Sequence, residues 1–257
     1  MSHPSPISPA LTSPTPIDLW EIAKFDAEAE SWWDPNGSSR WLHKYNPVRV
    51  DYICDAACRF LGRDRTGASL RGLRILDIGC GAGVLCESLA RLGAKVVGVE
   101  PGATLIDLAS RRARDSGLNI DYRCATAESL VRSAERFDLV LAMEVIEHVA
   151  DPRDFLRVCS ELTKPSGLAI LSTINRTALS FLFAIAIGEY LLRLLPPRTH
   201  RWTRFVRPAE MSQAFQEHGL ATIDVRGVTM NLRTAALQLA SNIQVNYLLT
   251  AQRPANG

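Results

Sequence analysis

The chain of 257 residues is 47% hydrophobic, enough to fill one sizeable core. Its 29 lysines and arginines nearly balance 27 aspartates and glutamates, and a formal charge of +2 gives no general attraction for nucleic acid. Six scattered cysteines lack paired ligand spacing, which excludes a disulfide framework and reads as buried thiols in a reducing compartment rather than a zinc site.

In chain order, "MSHPSPISPALTSPTPID" is rich in proline and serine, without an apolar run for secretion or the arginines of a transit peptide. Residues 1–19 are therefore expected to form a disordered leader, followed by one domain over 20–253. Residues 20–70 form a helical cap, in which Trp32 and Trp33 of "SWWDP" read either as a lid or as core. "LRILDIGCGAG" (Leu73–Gly83) is an apolar strand breaking into a glycine turn, and "VLCESLARLG" (Val84–Gly93) has helical spacing with a terminal glycine. "AKVVGVE" (Ala94–Glu100) is a strand, "TLIDLASRRARDSG" (Thr104–Gly117) a helix and "IDYRCAT" (Ile120–Thr126) a third strand. "FDLVLA" (Phe137–Ala142) begins the fourth, "DPRDFLRVCSELTKPSG" (Asp151–Gly167) is a helix, and "LAILSTIN" (Leu168–Asn175) the fifth strand. After an interruption over 176–206 come a helix at Arg207–Gly219 and strands at Leu220–Val228 and Val245–Arg253, these last two an antiparallel pair. The alternation predicts an α/β, doubly wound, mostly parallel sheet of seven strands with a helical insertion after the fifth.

Gly79, Gly81 and Gly83 lie where such sheets bind an adenine nucleotide or nucleoside. A dinucleotide turn needs a third small residue where Val84 stands, and Asp77 would repel a pyrophosphate. A cationic ligand without phosphate fits better: S-adenosylmethionine, with Asp77 near its charged amino-acid end and Glu100 on the ribose hydroxyls. A nicotinamide site and a purely structural turn are the alternatives.

"LDIGCGAG", the acidic strand end, "FDLVLAMEVIEHV" and "LTKPSG" together resemble the class I methyltransferases, with a Rossmann-like fold. "FDAEAESWWDPNGSSRWLHKYNPVRVDYI" (Phe25–Ile53), "STINRTALS" (Ser172–Ser180), "EYLLRLLPPRTH" (Glu189–His200) and "VNYLL" narrow the likeness to the ubiquinone-biosynthesis O-methyltransferases, over about residues 20–251. That resemblance implies methylation of polyprenyl catechols and cofactor contacts at Arg49, Gly79, Glu100 and Met143. An aspartate is usual in the family where Glu100 stands, and one extra methylene still reaches the ribose. A related methyltransferase for another phenol or lipid, and a non-catalytic cofactor-binding subunit, are the competing functions.

A phenolic hydroxyl with a pKa near 10 costs roughly 4 kcal/mol to ionise at pH 7, at about 1.36 kcal/mol per unit. In "MEVIEHV" (Met143–Val149), the spacing of Glu144, Glu147 and His148 predicts one face of a helical turn at the carboxyl end of the fourth strand. Two carboxylates and an imidazole suit a divalent cation, Mg²⁺ or Zn²⁺, that would chelate the catechol oxygens, and the family resemblance implies a metal at the same positions. The other readings are His148 as a direct general base, or two glutamates favouring a helix N-terminus beside a packed histidine. Asn175 and Arg176, after the fifth strand, are expected to face the same cleft and orient substrate. A turn capped by Thr177 is the alternative.

The insertion holds "ALSFLFAIAIGEYLLRLLPP" (Ala178–Pro197), with an apolar stripe at helical spacing, then the basic and aromatic "RTHRWTRFVR" (Arg198–Arg207). Phe181, Phe183, Ile187, Leu191, Arg201, Trp202 and Arg204 are read as a contact with a membrane surface, against the alternative of a helix covering the sheet. The expected setting is cytoplasmic, at the inner face of the membrane, or the matrix side in a mitochondrion. Other ubiquinone-biosynthesis proteins are candidate partners.

Overall fold

The computed structural model describes residues 32–34, 37, 40–65, 69–180, 205–231, 234 and 236–255. The expected leader and all seven residues assigned to membrane contact lie outside them. Among the described residues, no helix is long and apolar enough to cross a membrane.

A long helix α1 (Arg40–Leu61) precedes the alternating unit β1 (Arg74–Ile78), α2 (Val84–Arg91), β2 (Lys95–Glu100), α3 (Ala103–Asp115) and β3 (Asp121–Cys124). There follow α4 (Ala127–Arg132), β4 (Phe137–Met143), α5 (Pro152–Leu162), β5 (Thr163–Ile174), α6 (Pro208–Glu217), β6 (Ala221–Met230), β7 (Leu237–Ala240) and β8 (Asn246–Gln252). The sheet order is β3-β2-β1-β4-β5-β8-β6-β7, parallel from β3 to β5 and antiparallel beyond. The doubly wound mostly parallel sheet is as expected, with β6 and β8 an antiparallel pair. It has eight strands rather than seven, because the four residues of β7 pair with the end of β6 at the sheet edge. The extra strand, LQLA, is too short for its alternation to read as a strand.

The central strands are continuous apolar runs because helices cover both faces of the sheet. Leu139 and Leu141 of β4 point into a cluster with Ile53 and Ala57 of α1 and Leu85 and Leu89 of α2. Val140 and Ala142 point to the other face, with Phe155 and Val158 of α5 and Met211 and Phe215 of α6. Helix α5 ends earlier than Pro165 and Gly167 suggested: β5 already begins at Thr163, whose hydroxyl donates to Cys159 O at 2.8 Å. Of the six cysteines, all free thiols, Cys54, Cys80, Cys86 and Cys159 are buried as expected, Cys58 is half-buried and Cys124 exposed.

The insertion is rooted in the core at its far end. Phe205, counted among the basic and aromatic surface residues in the sequence, is 2% exposed, and Tyr247 donates its hydroxyl to Val206 O at 2.9 Å.

Strands β2 and β4 flank β1, so the chain winds outward in both directions from it. The carboxyl ends of β1 and β4 therefore open the crevice in which such sheets take their ligands.

Candidate active site

A cavity of about 310 Å³ fills that crevice. Gly79 and Cys80 of the glycine turn line it, whereas Gly81 and Gly83, expected at the ligand, do not. The N–H groups of Gly79 and Cys80 donate to Val99 O at 2.9 and 3.2 Å, and Gly83 donates to Cys80 O at 3.0 Å. Glycine is required at Gly79, Gly81 and Gly83, as two of them show. Gly83 begins α2 at φ 84°, and a Cβ there would lie 2.1 Å from the Tyr122 hydroxyl; a Cβ on Gly81, at φ 52°, would lie 2.3 Å from the Trp32 ring.

Trp32 lines the cavity, and Trp33 donates its indole N–H to Ala82 O at 2.9 Å while Arg112 stacks on its ring at 4.0 Å. The tryptophan pair thus covers the turn and packs against the buried Ala82 and Leu105. Arg49 reaches the cavity because the Asn46 amide of α1 donates to Ser88 Oγ at 2.9 Å, fixing α1 against α2. Its guanidinium lies 3.5 Å from Glu144 Oε1, and its buried Nε has no hydrogen-bond partner among the described residues.

Glu100 ends β2 with one carboxylate oxygen receiving Gly102 N–H at 3.2 Å and the other Gly81 N–H at 3.3 Å. An ionised carboxylate has about four acceptor sites. Asp77 is 3% exposed at the end of β1, and burial raises its pKa to about 7 against the lowering effect of a hydrogen bond from Cys86.

The "MEVIEHV" segment departs from its expected geometry. No helix forms there: Glu144 takes φ 58°, and His148 N–H closes a tight turn on Val145 O at 2.9 Å. Helix α5 starts only at Pro152, where the Asp151 side chain accepts from the N–H groups of Arg153 and Asp154. The helical turn that would have aligned all three side chains is therefore absent. Glu144 and His148 line the cavity, with Ser172 donating to Glu144 Oε1 at 2.7 Å. Glu147 is 5% exposed, does not line the cavity, and accepts from the Thr173 hydroxyl at 2.9 Å. Burial and the nearby charge of Glu144 push the Glu147 pKa up to about 8. Among the described residues, no three His, Cys, Asp or Glu side chains gather as a metal site.

Asn175 and Arg176 do not line the cavity, contrary to expectation. Asn175 is 6% exposed and donates its amide to Ile243 O at 2.8 Å, holding the segment before β8, and Arg176 is ion-paired with Glu210. The alternative turn is the one formed: Ser180 N–H donates to Thr177 Oγ1 at 3.0 Å.

Gly79 and Met143 line the cavity as expected; Thr126, Ala127, Glu128 and Phe155 do so without having been singled out. The first three follow β3 at the carboxyl edge of the sheet, a position that alone marks a loop as lining the crevice.

A methyltransferase domain model matches residues 41–225. A ubiquinone biosynthesis O-methyltransferase of Methylobacterium sp. (strain 4-46) is 49% identical over 96% of this chain and 99% of its own length. The enzyme of the same name from Chelativorans sp. (strain BNC1) is 48% identical over 93% of this chain and 95% of its own. Among solved structures, magnesium protoporphyrin IX methyltransferase from Synechocystis PCC 6803 with bound SAH matches with TM-score 0.60 at 17% identity, covering 91% of this chain and 99% of that one. At that identity the likeness is one of fold.

Proposed function

The chain belongs to the ubiquinone-biosynthesis O-methyltransferase family, and we propose that its cavity holds S-adenosylmethionine against a polyprenylated catechol whose hydroxyl it methylates. The supporting observation is the meeting of Arg49, Asp77, Gly79, Glu100, Met143, Glu144 and His148 on one cavity. S-adenosylmethionine supplies the methyl group as a sulfonium electrophile.

The residues fit that cofactor. The unpaired Arg49 Nε suits its carboxylate, Asp77 its ammonium group, and the carboxylate of Glu100, on the cavity at the end of β2, its ribose hydroxyls. Gly79 leaves that part of the cavity wall without a side chain, while Gly81 and Gly83 make room for Trp32 and Tyr122 packed on the turn. Holding the reacting atoms near 3 Å in a dry site contributes a large share of the acceleration.

The acceptor hydroxyl must lose its proton. His148 and Glu144 are the groups facing the cavity that bear on this step. By residue type, Glu144, Glu147 and His148 suit a divalent cation, Mg²⁺ or Zn²⁺, and a cation bound there would favour the ionised form of Glu147, whose pKa burial and Glu144 raise. A cation there would lower the cost of ionising the catechol. On this reading Glu147 gives up its proton and its bond from Thr173. The second reading, with His148 taking the proton directly, is favoured by the present seating of Glu147 away from the cavity. Turnover in a strong chelator separates them: activity lost and then restored by Mg²⁺ or Zn²⁺ supports the cation, and undiminished turnover assigns the proton to His148 alone.

A long prenyl tail resides in lipid, so the part of the 178–206 segment before the buried Phe205 is proposed as a peripheral membrane contact. Basic residues close to an anionic surface contribute about 1 kcal/mol each. Flotation with anionic vesicles is expected to weaken when Arg201 and Arg204 become glutamate; unchanged flotation would discard this contact.

A further inference from the structure

Asp77 is enclosed by groups from several elements. Cys86 faces it from α2, Arg49 from α1 and Glu100 from β2, while Cys80 of the glycine turn lies beside Cys86. The contact with Cys86 is direct: its thiol, 0% exposed, donates to Asp77 Oδ2 at 3.2 Å. It gets there because Gly83 turns the chain into α2 and the third residue of that helix points back beneath the turn. Asp77 nevertheless lines the cavity.

Building on the assignment of Asp77 to the ammonium end of the cofactor, we propose that Cys86 is a positioning residue for cofactor binding: its thiol holds one oxygen of Asp77 from below and leaves the other for the cavity. Cys86 touches neither cofactor nor substrate. It acts through Asp77.

The sign of the effect follows from the chemistry. A carboxylate, not a carboxylic acid, pairs with an ammonium group, and a hydrogen bond donated to the carboxylate favours the ionised form. With Asp77 near neutrality, losing the thiol moves its titration upward. Cofactor affinity then falls on the acid side of the profile and recovers on the alkaline side. A hydroxyl is a stronger donor than a thiol, so serine preserves or improves the arrangement.

The test is calorimetric titration of the full chain with S-adenosylmethionine across pH, for wild type, Cys86→Ala and Cys86→Ser. Cys86→Ala is expected to bind about three- to tenfold more weakly below the Asp77 midpoint and equally well well above it, as one lost hydrogen bond implies. Cys86→Ser is expected to return the midpoint to the wild-type value or below. A Cys86→Ala profile identical to wild type, or an equal loss at every pH in both variants, would overturn the proposal and leave Cys86 a packing residue. If wild type itself binds no S-adenosylmethionine at any pH, the cofactor assignment falls, and this inference with it.

Discussion

Replacing His148 with alanine is expected to lower kcat by about two to four orders of magnitude, the usual contribution of a group that handles a proton in the transition state. Affinity for S-adenosylmethionine should be largely retained, because the proposed cofactor contacts at Arg49, Asp77 and Glu100 remain in place. Both chemical readings of the site require this loss, since His148 is a cation ligand in one and the base in the other. Glu147→Gln distinguishes them. Glutamine retains an oxygen to accept the Thr173 hydroxyl, so the variant should fold and turn over normally if Glu147 only holds that bond. It should fail with His148→Ala if Glu147 must ionise to hold a cation. Steady-state kinetics on both variants, with folding checked by thermal denaturation, give the answer.

Glu100→Ala is expected to give the opposite signature, a large loss of cofactor affinity with the chemical step spared once cofactor saturates. Two hydrogen bonds from ribose hydroxyls to a half-buried carboxylate amount to about 2 to 4 kcal/mol, or roughly thirty-fold to several hundred-fold in Kd. Part of that loss is indirect. The same carboxylate receives the N–H groups of Gly81 and Gly102, so alanine also loosens the turn. Glu100→Asp, one methylene shorter, keeps the charge and should retain most of the affinity. Calorimetry on the three proteins measures this directly, and equal affinities would remove Glu100 from the ribose.

The parts of this molecule that were legible in its sequence are those where one local pattern had one physical solution. The run Ile75–Ile78 followed by alternating glycines had to be a buried strand and a tight turn, and the turn is built as that pattern implies. Glu100, at the end of the next strand, was placed by the same logic. Residues 144–148 were not legible because spacing alone does not make a helix. Glu144 takes a left-handed backbone and Val145 packs over Gly79, while Asp151 and Pro152 carry the true start signal for the helix. Asn175 and Arg176 were misplaced for a related reason: their position after β5 was read, but not the backbone carbonyl and carboxylate that hold them away from the cavity. Strand β7 and the Cys86 contact depend on tertiary pairing, to which local periodicity is blind.

The most direct measurement is transfer of an isotopically labelled methyl group from S-adenosylmethionine to a short-tailed polyprenyl catechol, with the product's methylated oxygen identified by mass spectrometry and NMR. The account predicts label on one catechol hydroxyl, in a reaction abolished by His148→Ala and starved by Glu100→Ala at limiting cofactor. Tight cofactor binding with no label on any catechol oxygen would contradict it.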